Sequence, residues 1–317
     1  MLRTLTVFAC LLRFAILLAC GPILLAGANA AGTIVVNEQA YYPEQPLWYR
    51  GALFYAEMSK DRVMKWDGAR NSVFWTEAGC GPTSVAKGGS ETFVFLCHLR
   101  NSLVEVDTSG HKVGEYNRDV DGKGFVTPNG STNDAKGGIY FSSSGIFAGG
   151  APATGSVYYL GANRKIKKVA DKIWYSNGVA LSHDGNSLFV SEHLGRRILV
   201  YPVNADASLG DKKVFLSLDD IASVPDSGEW WVGPDGLAMD TNDNLYIAEY
   251  GAGRMLIVDK AGLLKKKIFV PEKFITAPRF GETEETLFIT APGNNTTPPF
   301  IGKVYSMPNP LFAAPGK

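Results

Sequence analysis

Four side chains with oxygen donors stand at matching points of a recurring sequence pattern. Each lies where a tight turn enters a short apolar strand: Glu44 in EQPLW, Asn129 in PNGSTN, Asn177 in SNGVAL and Asp235 in PDGLAM. Two carboxylates and two amides form an all-oxygen ligand set without Cys or His, which argues against zinc or copper. Calcium prefers such a set at about 2.3–2.6 Å, usually completed by water. The pattern therefore predicts one divalent metal ion, calcium by its ligand chemistry.

A simpler interpretation exists for three of these positions. Asn-Gly and Asp-Gly are the commonest tight-turn dipeptides, so Asn129-Gly130, Asn177-Gly178 and Asp235-Gly236 each fit an ordinary turn. Glu44 does not fit that explanation. Because four oxygen donors recur at matched positions, we favour a shared metal site over unrelated turns.

The elements that position these donors are predicted to be short β-strands. The chain has no long stretch with apolar residues at helical spacing. Alternating or fully apolar runs recur instead, as ALFYAEM, TFVFLCH, GIYFSSS, SLFVSEH, NLYIAEY and TLFITAP. A second strand ending in a polar turn follows each run, which gives six copies of one unit. This repetition predicts an all-β fold, a six-bladed β-propeller of four-stranded antiparallel blades.

Closure of the ring is expected to involve the N-terminal strand. The segment TIVVNE, residues 33–38, supplies a missing outer strand for the blade that ends at KVYSMP. The inner strands of all six blades then begin at one end of a central channel, so that the matched positions face one another. A β-sandwich is the structural alternative, but it does not explain six similar units. We therefore expect one domain over residues 31–317.

The repeat segments resemble the regucalcin/gluconolactonase family of calcium-dependent lactonases. EQPLWYRGALFYAEMSKDRVMKWD resembles the family's opening blade, whose metal-binding glutamate falls on Glu44. GKGFVTPNGSTNDAKGGIYF places a second ligand on Asn129. SNGVALSHDGNSLFVSE and GPDGLAMDTNDNLYIAEYGAGR place the others on Asn177 and Asp235. The resemblance covers nearly the whole chain after residue 30 and implies the same fold and the same metal site.

Lactone hydrolysis is the activity that this resemblance implies. The ion would polarise the carbonyl of the cyclic ester, Asp235 would act as general base or nucleophile, and Glu44 would mainly hold the ion. Two departures do not favour aldonolactone specificity: Thr127 replaces an arginine of the sugar-lactone members, and Gly130 replaces an aspartate. Two alternatives stay open, an aryl-ester or organophosphate hydrolase on the same metal site and a non-catalytic ligand-binding propeller.

Aromatic side chains near the donors form the predicted substrate pocket. Trp174 shortly precedes Asn177, Trp230 and Trp231 precede Asp235, and Phe147 lies in the loop SSSGIFAGGAPATG. The alternative is that these rings pack between blades. No GxSxG motif supports a serine hydrolase. His98 is the reserve candidate for a general base, should Asp235 prove only a ligand.

Residues 1–30 have the features of a signal peptide. They contain Arg3 and Arg13, no acidic residue, a long apolar stretch and the cleavage pattern Ala28-Asn29-Ala30. The chain is therefore predicted to be exported, periplasmic or secreted. The alternative is a lipoprotein anchored through Cys20.

After cleavage only Cys80 and Cys97 remain. If the strands TSVA and TFVFLC pair through the KGGSE turn, the two cysteines approach each other at one sheet edge. Either a disulfide or two buried thiols then result.

The charge balance limits the classes of partner. The chain beyond residue 30 carries 29 basic and 31 acidic side chains. Such a balance gives no electrostatic reason to expect nucleic acid or an anionic membrane as partner. The apolar run of the leader is short for a bilayer-spanning helix, so stable membrane insertion is not expected. A small molecule, a lactone or ester, is the expected partner.

Overall fold

Almost every element of the protein is a β-strand, which confirms the all-β class. The computed structural model describes residues 32–89, 91–222 and 229–312. The predicted signal peptide and Cys20 lie outside this part of the chain. Among the described residues, no helix has the length and apolarity needed to cross a membrane.

The strands are numbered β1 to β24 in chain order. Strands β1 to β5 cover Ile34–Tyr41, Pro43–Tyr49, Ala52–Glu57, Arg62–Trp66 and Asn71–Thr76. Strands β6 to β9 cover Pro82–Lys87, Thr92–Cys97, Ser102–Asp107 and Lys112–Tyr116, and β10 to β13 cover Pro128–Asn133, Ile139–Ser143, Gly155–Leu160 and Ile166–Ile173. Strands β14 to β17 cover Ser176–Leu181, Ser187–Glu192, Arg197–Pro202 and Lys213–Ser217. Strands β18 to β21 cover Gly233–Met239, Leu245–Tyr250, Arg254–Val258 and Leu264–Phe269, and β22 to β24 cover Ala277–Phe280, Thr286–Pro292 and Ile301–Pro308. A 3₁₀ turn at Met58–Lys60 and a short helix at Leu218–Ile221 complete the elements.

The strands assemble into small sheets in a propeller-like arrangement. Within the described residues there are four separate four-stranded sheets, in the orders β1-β24-β23-β22, β10-β11-β12-β13, β14-β15-β16-β17 and β18-β19-β20-β21. The other eight strands form one sheet in the order β5-β4-β3-β2-β6-β7-β8-β9. The prediction of six four-stranded antiparallel blades is therefore met by four sheets only, because a parallel pairing of Gln45 with Ser84 joins β2 to β6. All other neighbouring strands pair antiparallel.

The inner strands form a ring. Strands β2, β6, β10, β14, β18 and β22 each contact the next one, and β22 contacts β2. At the seam the N-terminal strand β1 pairs antiparallel with β24, from Ile34 opposite Ser306 to Tyr41 opposite Ile301. The first and last strands of the described chain thus lie in one sheet.

Apolar side chains between neighbouring sheets hold the ring together. Strands β3 and β19 are buried along their whole length, whereas the outer strand β9 is largely exposed. One cluster packs Tyr246 and Ile257 of one sheet against Ile289 and Met307 of the next. Burial of apolar surface stabilises such contacts by about 25 cal/mol per Å². This packing fixes the ends of the inner strands relative to one another.

Cys80 and Cys97 form a disulfide, with Cα atoms 4.5 Å apart. Strands β6 and β7 pair so that Pro82 lies opposite Cys97, which brings the two cysteines to one sheet edge. Cys97 occupies the repeat position that Glu57 holds in the first repeat, where Glu57 forms an ion pair with Arg62 at 2.6 Å. The covalent link therefore takes the place of an ion pair at this point of the repeat.

Candidate metal centre

The structure brings the four predicted donors to one cavity at the centre of the ring. Glu44, Asn129, Asn177 and Asp235 all line this cavity, which has a volume of about 100 Å³. They lie on β2, β10, β14 and β18, and each is at most 7% exposed. Four oxygen-bearing side chains from four different sheets therefore converge on one small buried space.

A backbone irregularity accompanies each donor. The antiparallel register shifts between Glu44 and Leu47, and equivalent shifts accompany the other three donors. Such a bulge changes the direction in which a side chain points. The Asn-Gly and Asp-Gly dipeptides therefore lie inside strands and not at turns between strands.

The glycine after each of two donors is explained by backbone packing. A Cβ atom on Gly130 would lie 2.7 Å from the carbonyl oxygen of Asn177. A Cβ atom on Gly178 would lie 2.3 Å from the carbonyl oxygen of Asp235. Glycine is needed at both positions because neighbouring inner strands approach too closely for any side chain.

The electrostatics of the cavity fit a cation. Burial raises the pKa of Glu44 well above its ordinary value, and the nearby charge of Asp235 raises it further. Burial likewise raises the pKa of Asp235, against the lowering effect of hydrogen bonds from Gly236 and Asn177. Two buried carboxylates that lack a counter-charge are unfavourable, because desolvation and mutual repulsion both oppose ionisation.

No protein group supplies that counter-charge in the described part of the chain. Neither Glu44 nor Asp235 forms a salt bridge with a basic side chain there. No group of three or more His, Cys, Asp or Glu side chains suited to a metal occurs among the described residues either. The candidate set has only two carboxylates, so two amides must supply the remaining oxygens. A divalent cation fits this donor set.

Four further side chains line the cavity at a shared position of the repeat, and they were not predicted from the sequence as a set. They are Met58, His98, His193 and Tyr250, each directly after a Glu or Cys of its second strand. The backbone N–H groups of Met58, His98 and His193 donate to the backbone carbonyl oxygens of Tyr42, Gly81 and Tyr175, each at 3.1 Å. Each of these acceptors lies two residues before a cavity residue of an inner strand. The signal was present as AEM, LCH, SEH and AEY at matched points of the repeat.

Both histidines of the cavity are held in defined neutral forms. His98 places Nδ1 3.1 Å from the carbonyl oxygen of Pro128, and a carbonyl only accepts, so Nδ1 carries the hydrogen. His193 places Nε2 2.9 Å from the carbonyl oxygen of Trp231, so its Nδ1 can only accept, here from Asn177 at 3.4 Å. Burial lowers the pKa of both rings to about 4. Near neutral pH each ring therefore offers a lone pair and no additional proton.

Tyrosines form part of the cavity wall. Tyr42, Tyr175 and Tyr250 line it, and the hydroxyls of Tyr42 and Tyr250 are 2.8 Å apart. Burial raises the pKa of all three phenols. Tyr42 and Tyr175 have left-handed backbones, with φ of 51° and 61°. Such conformations are costly for non-glycine residues and concentrate at functional sites.

Comparison with known proteins identifies the family. Residues 42–292 match the family model described as the SMP-30/Gluconolactonase/LRE-like region. The chain belongs to this family.

Relatives and solved structures are similar to this family member over different lengths. Lactonase drp35 of Staphylococcus aureus is 34% identical over 139 residues, which is 44% of this chain and 40% of that protein. Lactonase drp35 of Staphylococcus epidermidis is 28% identical over 184 residues, 56% of this chain and 53% of that protein. The chain thus spans about half the length of these relatives or less.

Two solved structures cover most of the chain. A gluconolactonase from Xanthomonas campestris has a TM-score of 0.70 at 25% identity and covers 87% of this chain and 89% of its own. A calcium-binding protein, regucalcin, from Agrobacterium tumefaciens has a TM-score of 0.71 at 18% identity and covers 87% and 93%. The latter likeness shows the fold.

The aromatic rings predicted for the substrate pocket of this SMP-30/gluconolactonase family member do not all line the cavity. Phe147 lines the cavity, and Trp230 contacts Phe147 from outside with ring centroids 5.2 Å apart. Trp174 lies outside the lining, with the guanidinium of Arg197 over its ring. Trp231 also lies outside the lining, against Phe274 and Tyr250. Sequence proximity to a donor does not decide which ring faces the cavity, because adjacent residues point in different directions.

Proposed function

We propose that this protein is a metal-dependent hydrolase that opens lactones, with the ion held by Glu44, Asn129, Asn177 and Asp235. The observation that carries the proposal is the buried carboxylate pair, which lacks a basic partner among the described residues. Its all-oxygen donor set favours calcium. The lactonase relatives and the gluconolactonase neighbour support a cyclic ester as substrate.

The chemistry divides among the cavity residues. When bound, the ion would polarise the substrate carbonyl as a Lewis acid. Asp235 accepts a proton from the attacking water, or attacks the carbonyl carbon itself, while Glu44 serves mainly to hold the ion. Asn129 and Asn177 supply neutral oxygens, which keeps the net charge of the loaded site near zero. Phe147 and the tyrosines exclude bulk water from the reacting groups.

The cavity favours a neutral substrate. Its lining contains no Lys or Arg within the described residues. A phosphorylated or carboxylated substrate would find no cationic side chain there and would face two carboxylates. Small neutral lactones and esters meet this requirement.

We further infer a six-bladed propeller in one domain over residues 31–317. The eight-stranded sheet consists of two four-stranded units, and among the described residues their strands pair with each other only at Gln45 and Ser84. If each unit counts as one blade, the ring of six inner strands corresponds to six blades.

We also infer export to the periplasm or the extracellular space. The leader over residues 1–30 supports this inference, and so does the Cys80–Cys97 disulfide, since such bonds persist in oxidising compartments. The mass of the mature chain separates cleavage after Ala30 from lipid attachment at Cys20.

Turnover of a substrate panel tests the proposed activity. Chelator-treated and calcium-loaded protein would be assayed by acid release from δ-valerolactone, gluconolactone and dihydrocoumarin, together with p-nitrophenyl acetate and a neutral phosphotriester. We expect hydrolysis of at least one lactone that requires calcium and is lost in Asp235→Asn.

The other outcomes separate the alternatives. Turnover of the aryl ester or the phosphotriester without any lactone would indicate the other hydrolase activity. Calcium binding without turnover would indicate a ligand-binding propeller, and turnover that survives chelation would refute metal dependence.

A further inference from the structure

Ring opening of a lactone produces an alkoxide, and a hydrogen-bond donor at the departing oxygen lowers the barrier to its release. The proposed function assigns the attack on the carbonyl to Asp235 and leaves the departing oxygen without a partner. The cavity wall contains hydroxyl and imidazole groups, and a suitable donor must have a hydrogen that is not already committed to a backbone acceptor.

The imidazoles and the threonine of the wall have no such hydrogen. The Nδ1–H of His98 is directed at Pro128, and the Nε2–H of His193 is directed at Trp231. The hydroxyl of Thr83 lies 3.1 Å from the carbonyl oxygens of both Pro128 and Asn129 and donates to this backbone. Each of these hydrogens already donates to a backbone carbonyl oxygen, so it could reach a substrate only if that hydrogen bond broke.

The phenols are different. Ser144 interacts with Tyr175 and lowers the pKa of its phenol, against the raising effect of burial, so Ser144 is the donor there and Tyr175 also keeps its hydrogen, but Tyr175 stands outside the hydroxyl pair. Tyr42 and Tyr250 have two hydroxyl hydrogens, and the 2.8 Å contact between them uses only one. Either hydroxyl can donate in that contact. The Asn295 side chain also hydrogen-bonds Tyr250 and lowers the pKa of its phenol, against the raising effect of burial, so Asn295 is the donor there and the pair keeps one hydrogen for a third group. A hydroxyl that accepts a hydrogen bond also becomes a better donor, because chains of hydrogen bonds polarise one another. The pair therefore presents one strengthened donor to the cavity.

Packing holds the pair in place before any substrate arrives. The backbone of Tyr42 accepts from Met58 at 3.1 Å and donates to Phe300 at 2.8 Å. The ring of Tyr250 packs against Phe274, with centroids 5.0 Å apart. Both rings line the same cavity as Glu44 and Asp235. A donor fixed in this way has little reorganisation to undergo during the reaction.

We propose that the Tyr42–Tyr250 hydroxyl pair donates a hydrogen bond to the lactone ring oxygen as the ring C–O bond breaks. The hydroxyl that contacts the ring oxygen is the catalytic group, and the other hydroxyl positions and polarises it. This inference rests on the proposed lactonase function. In the general-base form, water loses a proton to Asp235 and its oxygen bonds to the carbonyl carbon. The electron pair of the ring C–O bond then moves to the ring oxygen. That oxygen finally takes a proton from solvent, Asp235 returns its proton to solvent, and both phenols keep theirs.

The leaving group provides the test. An alkoxide is strongly basic and depends on a hydrogen-bond donor, whereas a phenoxide leaves readily without one. Each single variant, Tyr42→Phe or Tyr250→Phe, leaves one hydroxyl with its hydrogen and should lose less activity than the double variant. In the double variant, kcat should fall roughly 100-fold for δ-valerolactone, the usual cost of removing one such donor. For dihydrocoumarin, whose leaving group is a phenoxide, kcat should fall less than about 3-fold. Tyr175→Phe removes the third phenol of the wall and is the matched control, for which the two rates should change by the same factor.

A readout independent of activity accompanies these rates. The increase in melting temperature caused by calcium should be the same in wild type and in all four variants, which shows that the fold and the ion site are intact. An equal fall on both substrates in the double variant would overturn the proposal, since it would indicate a structural role or a contact with the carbonyl oxygen. If only Tyr175→Phe slowed δ-valerolactone more than dihydrocoumarin, Tyr175 would be the donor and the proposal for Tyr42 and Tyr250 would be wrong. If wild-type protein with calcium opens neither lactone, the proposed function fails, and the role of the pair fails with it.

Discussion

Asp235→Asn should have opposite effects on the stability of the metal-free and calcium-loaded protein. In the metal-free protein the change removes one of two buried like charges, so the variant should melt higher than wild type. In the loaded protein it removes an anionic ligand, so the variant should gain less from calcium and melt lower than wild type. It also removes the proposed base, so lactone turnover should be lost.

The magnitude follows from the buried pair. Two like unit charges a few ångströms apart repel by a few kcal/mol, about 4 kcal/mol at a separation of about 4 Å, at an effective dielectric constant near 20. Proton uptake relieves part of this repulsion, because the pKa of Glu44 is raised. At pH 7.5 the free energy of unfolding of the metal-free variant should therefore exceed that of metal-free wild type by about 1–2 kcal/mol. For a domain of this size that is a rise in melting temperature of roughly 2–6 °C.

Thermal melts followed by circular dichroism, with chelator and with excess calcium, measure both signs in one experiment. Asn177→Asp is the matched control, because it adds a buried carboxylate on the neighbouring inner strand. It should melt lower than wild type without calcium, still bind calcium and lose only part of its activity. If metal-free Asp235→Asn melts below metal-free wild type, the two carboxylates do not repel as inferred and the electrostatic argument for the ion fails.

Three further predictions follow from the same structure. Because the pKa values of Glu44 and Asp235 are raised, the metal-free folded state binds more protons than the unfolded state, and the carboxylate pair lowers the free energy of unfolding as pH rises above about 4. The calcium-induced increase in melting temperature should therefore grow from pH 5 to pH 8. An increase that stays constant over this range would contradict the inference. Phe147→Ala should raise KM for dihydrocoumarin several-fold with little change in kcat, whereas Trp174→Ala, outside the cavity, should leave both near wild type; equal effects in steady-state assays would remove Phe147 from the substrate wall. The intact mass should correspond to a chain that begins at Ala31 and is two hydrogens lighter than its reduced form. Replacing both cysteines, Cys80→Ser with Cys97→Ser, should lower the free energy of unfolding by about 3 kcal/mol for a sequence separation of 17. Two free thiols in the denatured wild-type protein would refute the disulfide.

The sequence predicted those features that depend on local pattern. The all-β class follows from runs such as SLFVSEH, because alternation and turn residues act within each strand. The meeting of the four donors in one cavity was also accessible, since repeat equivalence puts matched residues at matched places in a ring.

Features that depend on the detailed approach of strands were not predictable. The Gln45–Ser84 pairing that joins two sheets results from how closely β2 and β6 lie. The contact of Tyr42 with Tyr250 joins residues 208 positions apart, and no local pattern encodes it. Trp231 was expected in the pocket from its place in the sequence, but the direction of its side chain puts it against Phe274. Tertiary packing decides each of these outcomes.

The central claim is tested most directly by titrating lactone hydrolysis against calcium. Chelator-stripped protein, at a concentration well above its dissociation constant for calcium, would receive calcium in small portions while the rate of lactone opening is recorded. The proposed centre predicts no turnover without calcium, a linear rise of the rate with added calcium, and a sharp end point at one calcium ion per chain. Full turnover without calcium, or calcium-dependent turnover that persists at the wild-type rate in the double variant Glu44→Gln with Asp235→Asn, would contradict it.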